Sequence, residues 1–196
     1  MNKHLLVPGI SNELFEKLDG VPITKEEIRV LVLSKLQLFS EAVLYDIGSG
    51  SGSIAIESKL IDPKIEVYAV EKNPNGIKAI EKNCNKFGVD INTIQGSAPD
   101  ALLDLPPADR IFIGGSGGNL IDILNLCDIK LKPGGQIVLN SVTMNTGPQA
   151  VSFWQEKSYK WQAATVNISI TSSDKKALIW EARNPVTIIT AEKEES

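Results

Sequence analysis

At 196 residues the chain fits one domain at the usual roughly 150 residues each, with a small appendage at most, and leaves no room for two independent enzymes. The apolar residues make up 42% and there are 15 glycines, a globular composition that excludes disorder, collagen and coiled coil. Twenty Lys and Arg against 24 Asp and Glu leave a net charge of −4, the wrong sign for affinity built on neutralising phosphates, so nucleic acid is not an expected partner.

The start, MNKHLLVPGISNELFEKL, turns charged too early for a signal-peptide core, and no apolar run approaches the roughly 18 residues of a membrane span. The cytosol is the expected compartment, with no membrane partner. Residues 1–24, with Pro8, Gly9, Gly20 and Pro22, read as an irregular N-terminal arm able to cover a cleft. Lys25 to Leu38 reads as a helix burying Ile28, Leu31, Val32 and Leu36, with Thr24 as N-cap and Glu27 completing a capping box. Short β-rich runs then alternate with helical patterns: Ala42 to Ile47, Ile65 to Val70, Ile91 to Gln95, Arg110 to Gly114 and Gln136 to Val142, with two further strands near Thr165 to Ile170 and Val186 to Ala191. Between them, SIAIESKLI is helical. Asn73 and Pro74 open a helix with the stripe Ile77, Ile80, Cys84 and a stop at Gly88. Asn119 to Leu131 forms another, broken by Lys132, Pro133, Gly134 and Gly135. Such alternation implies an α/β fold with a parallel sheet and crossover helices. The expected organisation is a single domain: arm 1–24, core 25–191 and charged tail 192–196.

Cys84 and Cys127 show no metal-type spacing and read as buried small hydrophobes. With His4 as the sole histidine, neither a metal site nor a histidine-based triad is expected. The chemistry concentrates in VLYDIGSGSGS, Val43 to Ser53, where a strand runs into Gly48, Gly50 and Gly52 before a helix. At the carboxyl end of a strand in an open α/β sheet, glycines let a nucleotide-type ligand approach the backbone, although a tight turn alone would also use them. A dinucleotide fingerprint needs glycine or alanine where Ser53 stands. Asp46, ahead of the glycines, would repel a pyrophosphate but suit the ammonium of S-adenosyl-L-methionine, unless it serves only the turn. Glu71 ends the second β-run, where an acid can accept both ribose hydroxyls of an adenosine. Ser97 and Ala98, in GSAPDAL, can line an adenine edge. The fourth β-run ends in IGGSGGN, with Gly114 and Ser116, in place of the acidic or amide residue, two prolines and aromatic of amine-directed methyltransferases. Nothing there stacks a flipped base, which argues against base methylation.

The segment Gly9 to Leu36, DIGSGSGS, IGGSGGN and ARNPVTIITA together resemble the carbon-15-methylating, decarboxylating precorrin methyltransferase family of corrin (vitamin B12) biosynthesis, over nearly the whole chain. The glycine loop is common to all Rossmann-like methyltransferases; VPITKEEIR with GGSGGN and NPV is the specific part. The resemblance implies a class I, Rossmann-like fold: a seven-stranded, mostly parallel sheet with an antiparallel last strand and helices on both faces. It implies S-adenosyl-L-methionine as methyl donor, a homotetramer, and a tetrapyrrole substrate. The implied reaction is methylation of carbon 15 of (cobalt-)precorrin-6B with loss of the ring C acetate as carbon dioxide.

Carried onto this chain, the donor-binding residues are Thr24, Asp46, Gly48, Ser49, Gly50, Gly52, Glu71, Lys72, Ser97, Ala98 and Gly114, with Thr24 also read as a helix cap. Substrate-side candidates are Lys25, Arg29, Ser116 and Arg183, and Lys3, His4, Lys175 and Lys176 are further cations for the substrate carboxylates. Ser49 and Ser51 replace other small residues of relatives, and ITSSDKK stands where arginine is usual. An electron-rich ring carbon needs alignment and desolvation more than a side-chain nucleophile, and decarboxylation needs an oriented acetate. Competing readings are a methyltransferase for another small molecule or RNA, a nicotinamide-dependent dehydrogenase, and a silent binding subunit.

Overall fold

The computed structural model describes residues 8–171 and 178–195. In chain order the elements are α1 (Glu26–Leu36), β1 (Val43–Ile47), α2 (Ser53–Ile61), β2 (Glu66–Glu71), α3 (Pro74–Phe87), β3 (Asn92–Gln95), β4 (Ala108–Ile113), α4 (Leu120–Lys130), β5 (Leu131–Ser141), α5 (Thr146–Glu156), β6 (Lys160–Val166), β7 (Ser169–Ile170), β8 (Glu181–Ala182) and β9 (Val186–Glu192). Among the described residues, β7 and β8 form a small separate pair, and the other seven strands form one sheet in the order β3-β2-β1-β4-β5-β9-β6. Strands β1 to β5 run parallel, while β9, the last in the chain, lies antiparallel between β5 and β6.

Successive strand residues face opposite sides of a sheet, and here both sides are apolar. Tyr45, Ile47, Ile111, Ile113, Ile137 and Leu139 pack with Leu124 of α4 and Trp154 of α5. Leu44, Phe112 and Val138 pack on the other face with Val32 and Leu36 of α1, Ile54 of α2 and Ile80 of α3. Chain direction across the sheet reverses between β1 and β4, so a crevice opens beyond their carboxyl ends, where ligands bind in folds of this kind.

Helix α3 begins and ends as its sequence indicates: the Asn73 side chain accepts from the Asn75 amide at 2.9 Å, Pro74 fills the first turn, and Gly88 stops the helix at φ +67°. Helix α1 departs from expectation. Its N-cap is Lys25, with no side-chain cap, and the Thr24/Glu27 capping box does not form. The first-turn Glu26 amide instead donates to Asn12 Oδ1 of the arm at 2.9 Å, and Leu31 is exposed while Leu33 is buried. Helix α4 stops at Lys130, ahead of the expected break at 132–135, and β5 already begins at Leu131, with residues 132–135 falling in a register shift against β4. The strand expected at Thr165 to Ile170 is centred earlier, as β6. Helix α5 was not foreseen: Pro148 stands in its first turn, where its missing N–H goes unneeded, so a residue that reads as a breaker becomes a helix start.

Candidate functional site

The arm is clamped before it reaches the crevice. Arg29 is fully buried; its guanidinium pairs with Glu57 and donates to the Ile10 and Thr24 carbonyls, and Glu57 also accepts the Gly9 and Ile10 amides. The Arg29 guanidinium lies 4.8 Å from the Phe15 ring centroid. This overturns Arg29 as a substrate contact: the four-residue spacing suggested a shared exposed face with Lys25, but Lys25 precedes the helix and Arg29 turns inward beside Ile28 and Val32. Asn83, also fully buried, accepts the Glu16 amide at 2.6 Å and donates to the Ser51 carbonyl at 3.0 Å, tying arm to glycine loop. Arg183 pairs with Glu27 at 2.6 Å and lines none of the hollows described below, so it too is engaged away from the crevice.

The loop after β1 takes positive φ at Gly48 (+71°) and Gly50 (+57°). A Cβ at Gly48 would lie 2.7 Å from the Gly115 carbonyl oxygen, and one at Gly50 would lie 2.5 Å from that of Pro22. Only glycine permits both the conformation and the approach. The arm's Pro22 carbonyl accepts the Ser51 amide at 3.0 Å, so arm, glycine loop and the β4–α4 loop touch through backbone at these points.

Two carboxylates hold this loop. Glu71, 8% exposed, accepts the Gly50 amide on Oε2 and the Asn73 amide on Oε1, both at 2.8 Å. A Cβ at Gly76 would sit 2.5 Å from Glu71 Cγ, so that glycine makes room for the acid. Asp46 lies beneath the loop, where Oδ2 accepts from Ser49 Oγ at 2.7 Å and the Ala55 amide at 3.2 Å, while Oδ1 is buried without a partner. Burial pushes the Asp46 carboxyl up to about 6; the Ser49 and Ala55 hydrogen bonds oppose the rise and the nearby Glu71 adds to it.

Three hollows converge on Gly114. The first, about 280 Å³, is lined by Gly48, Glu71, Lys72, Ser97, Ala98, Gly114 and Ser116, among others. The second, about 250 Å³, lies between arm and loop and is lined by Pro22, Thr24, Lys25, Ser49, Gly50, Gly114 and Asn140, among others. The third, about 470 Å³, is lined by Gly114, Ser116, Asn140, Thr143, Asn145, Thr146 and Gln149, among others. Nine of the eleven residues carried over as donor contacts therefore line the first two hollows. The exceptions are Asp46, under the loop, and Gly52, which faces Ile80 and Ile56. Lys3, His4, Lys175 and Lys176 lie outside the described residues. Asn140, Thr143, Thr146 and Gln149 escaped the sequence reading; the polar Asn140 ending an apolar β-run was the one available signal. No cluster of three or more His, Cys, Asp or Glu able to hold a metal occurs among the described residues.

A parallel sheet with one inserted antiparallel strand, a glycine loop after β1 and a carboxylate ending β2 define the Rossmann-like fold of S-adenosylmethionine-dependent methyltransferases. Residues 13–193 match a family model described as a precorrin methyltransferase domain. The chain is 40% identical over 190 residues to the probable cobalt-precorrin-6B C(15)-methyltransferase (decarboxylating) of Sulfurisphaera tokodaii, covering 95% of this chain and 98% of that one. It is 31% identical to the cobalt-precorrin-6B C(15)-methyltransferase (decarboxylating) of Salmonella typhimurium, covering 95% and 97%. A crystal structure of precorrin-6y C5,15-methyltransferase from Geobacter metallireducens matches with a TM-score of 0.90 at 40% identity, covering 96% and 99%. The chain belongs to the precorrin methyltransferase family and is an enzyme.

Proposed function

We propose that this enzyme transfers a methyl group from S-adenosyl-L-methionine to carbon 15 of cobalt-precorrin-6B and releases the ring C acetate as carbon dioxide, in cobalamin biosynthesis. The observation that carries the reading is the near full-length similarity to decarboxylating carbon-15 methyltransferases. The donor fits the residues present. Gly48, Gly50 and Gly114 line the first two hollows with backbone alone, and both Glu71 oxygens, each fixed by one backbone amide, retain lone pairs for the two ribose hydroxyls. Ser97, Ala98 and Lys72 border the adenine, and Thr24 and Ser49 the amino-acid end. Asp46 acts through the loop that it holds and through its charge.

The donor supplies an electrophilic methyl on a sulfonium. The chain's own work is alignment: the Glu71-anchored loop fixes the sugar, the Gly114 backbone admits the substrate carbon, and the clamped arm forms one wall of the second hollow. Lys25, at the hollow's rim, is the described cation left to meet a substrate carboxylate. The enzyme works as a homotetramer in the cytosol. Exposed Trp161, Leu178, Ile179 and Trp180 support a subunit contact, and among the described residues no helix is long and apolar enough to cross a membrane.

Incubation with cobalt-precorrin-6B and S-adenosyl-L-methionine, followed by mass spectrometry, tests the reading: the expected product has gained one methyl and lost one carbon dioxide. Methyl entering RNA or another acceptor and not the tetrapyrrole would overturn it.

A further inference from the structure

Among the described residues, no charged side chain lines the third hollow. Its walls beyond Gly114 are the β4–α4 loop, the end of β5 and the start of α5, and the polar groups there are Ser116, Asn140, Thr143, Asn145, Thr146 and Gln149. Lys72 lines the first hollow and Lys25 the second; neither lines this one. A substrate rich in carboxylates would ordinarily be met by cations, so a neutral polar hollow beside the methyl-transfer point calls for a reason. Asn140 supplies a second observation. It lines both the second and third hollows, yet its Oδ1 is buried without a hydrogen-bond partner. An unpaired buried carbonyl is costly, and it marks an amide that its surroundings do not lock through Oδ1, leaving the N–H side to a ligand in either hollow.

We infer that the third hollow is the decarboxylation subsite: it takes the reacting acetate of the tetrapyrrole, Asn140 holds that carboxylate through its amide N–H, and the hollow's lack of charge promotes release of carbon dioxide. The inference rests on the proposed reaction. Methyl transfer forms a carbon–carbon bond at carbon 15 and leaves the pair of the broken carbon–sulfur bond on sulfur, so the ring gains one positive charge. Breaking the bond from the acetate methylene to its carboxylate sends that pair into the ring, cancels the charge and releases neutral carbon dioxide. The methylene then takes a proton from solvent as carbon 15 gives one up. Negative charge leaves the carboxylate during the second step, so a cation beside it would stabilise the starting state more than the transition state and slow the loss. A neutral amide positions the group without pinning its charge.

The test is product partition in Gln149→Lys, an exposed position that accepts a long side chain, and in Asn140→Asp, which keeps the shape and adds an anion. With cobalt-precorrin-6B and S-adenosyl-L-methionine, Gln149→Lys is expected to accumulate methylated product that retains its carboxylate, lowering the decarboxylated-to-methylated ratio about tenfold. Asn140→Asp is expected to raise KM for the tetrapyrrole about tenfold or more through like-charge repulsion. A wild-type product ratio in Gln149→Lys, or an unchanged tetrapyrrole KM in Asn140→Asp, overturns the subsite while leaving the methyltransferase reading in place. Wild-type enzyme that turns over no tetrapyrrole overturns that reading, and the subsite with it.

Discussion

On the proposed assignment, the donor side and the acetate side of the crevice are built on opposite plans. On the donor side, each of the two carboxylates is gripped by the loop: Glu71 by the Gly50 and Asn73 amides, Asp46 by Ser49 and Ala55, with arm and β4–α4 loop pressed against the glycines. On the acetate side the groups are neutral and come from two loops, the end of β5 and the start of α5. A donor that is the same in every turnover rewards rigid preorganisation. A substrate group that must lose its charge and depart rewards weak, neutral contacts.

Substitutions of graded severity can break or sharpen that contrast. The largest effect is expected from Arg29→Ala, which strands the buried Glu57: breaking such a pair costs about 3–5 kcal/mol of stability, read as a lowered urea midpoint. If Arg29 served substrate instead, stability would hold and KM would rise. Gly50→Ala forces a side chain into left-handed backbone and against Pro22; about 2 kcal/mol or more of donor-bound stability should go, seen by calorimetry as weakened donor binding. Glu71→Gln keeps the shape but removes one acceptor and the charge, and should weaken donor affinity by about 1–3 kcal/mol.

Asp46→Asn separates loop support from charge. Because the folded Asp46 carboxyl is raised to about 6, the protonated form favours folding. That contribution is full below the ordinary carboxylate range and is lost as pH rises through about 6. The permanently neutral variant should therefore match wild type near about pH 4 and be more stable by about 1–3 kcal/mol near about pH 8, measured by thermal melts. Wild-type donor affinity should rise through the same window, since the donor ammonium favours the anion, and the variant's should not. The smallest effect belongs to Lys25→Ala: an exposed cation at the rim should change tetrapyrrole KM by about 0–1 kcal/mol and more at low salt.

The two plans also explain what the sequence revealed. Gly48, Gly50, Asp46 and Glu71 are legible because close backbone approach demands glycine and a fixed spacing of acids, and α3 is legible because Asn73, Pro74 and Gly88 mark its ends. The acetate side has no such grammar. Asn140 and Gln149 become neighbours only through α5, whose Pro148 disguised a helix start. Arg29 misled for the same reason: helical spacing states which residues share a face, and tertiary packing decides whether that face meets water or Glu57. The Lys132 to Gly135 signal survives as an irregularity inside β5: pairing with β4 holds at Leu131 and resumes at Gln136 across a register shift, and Gly134 takes φ +70°.

A crystal soaked with S-adenosylhomocysteine tests the central claim most directly. Ribose hydroxyls against Glu71, adenine beside Ser97 and Ala98, and sulfur near Gly114 with its open side toward the neutral hollow are the expected result. Density lodged elsewhere, or a sulfur facing away from that hollow, would contradict it.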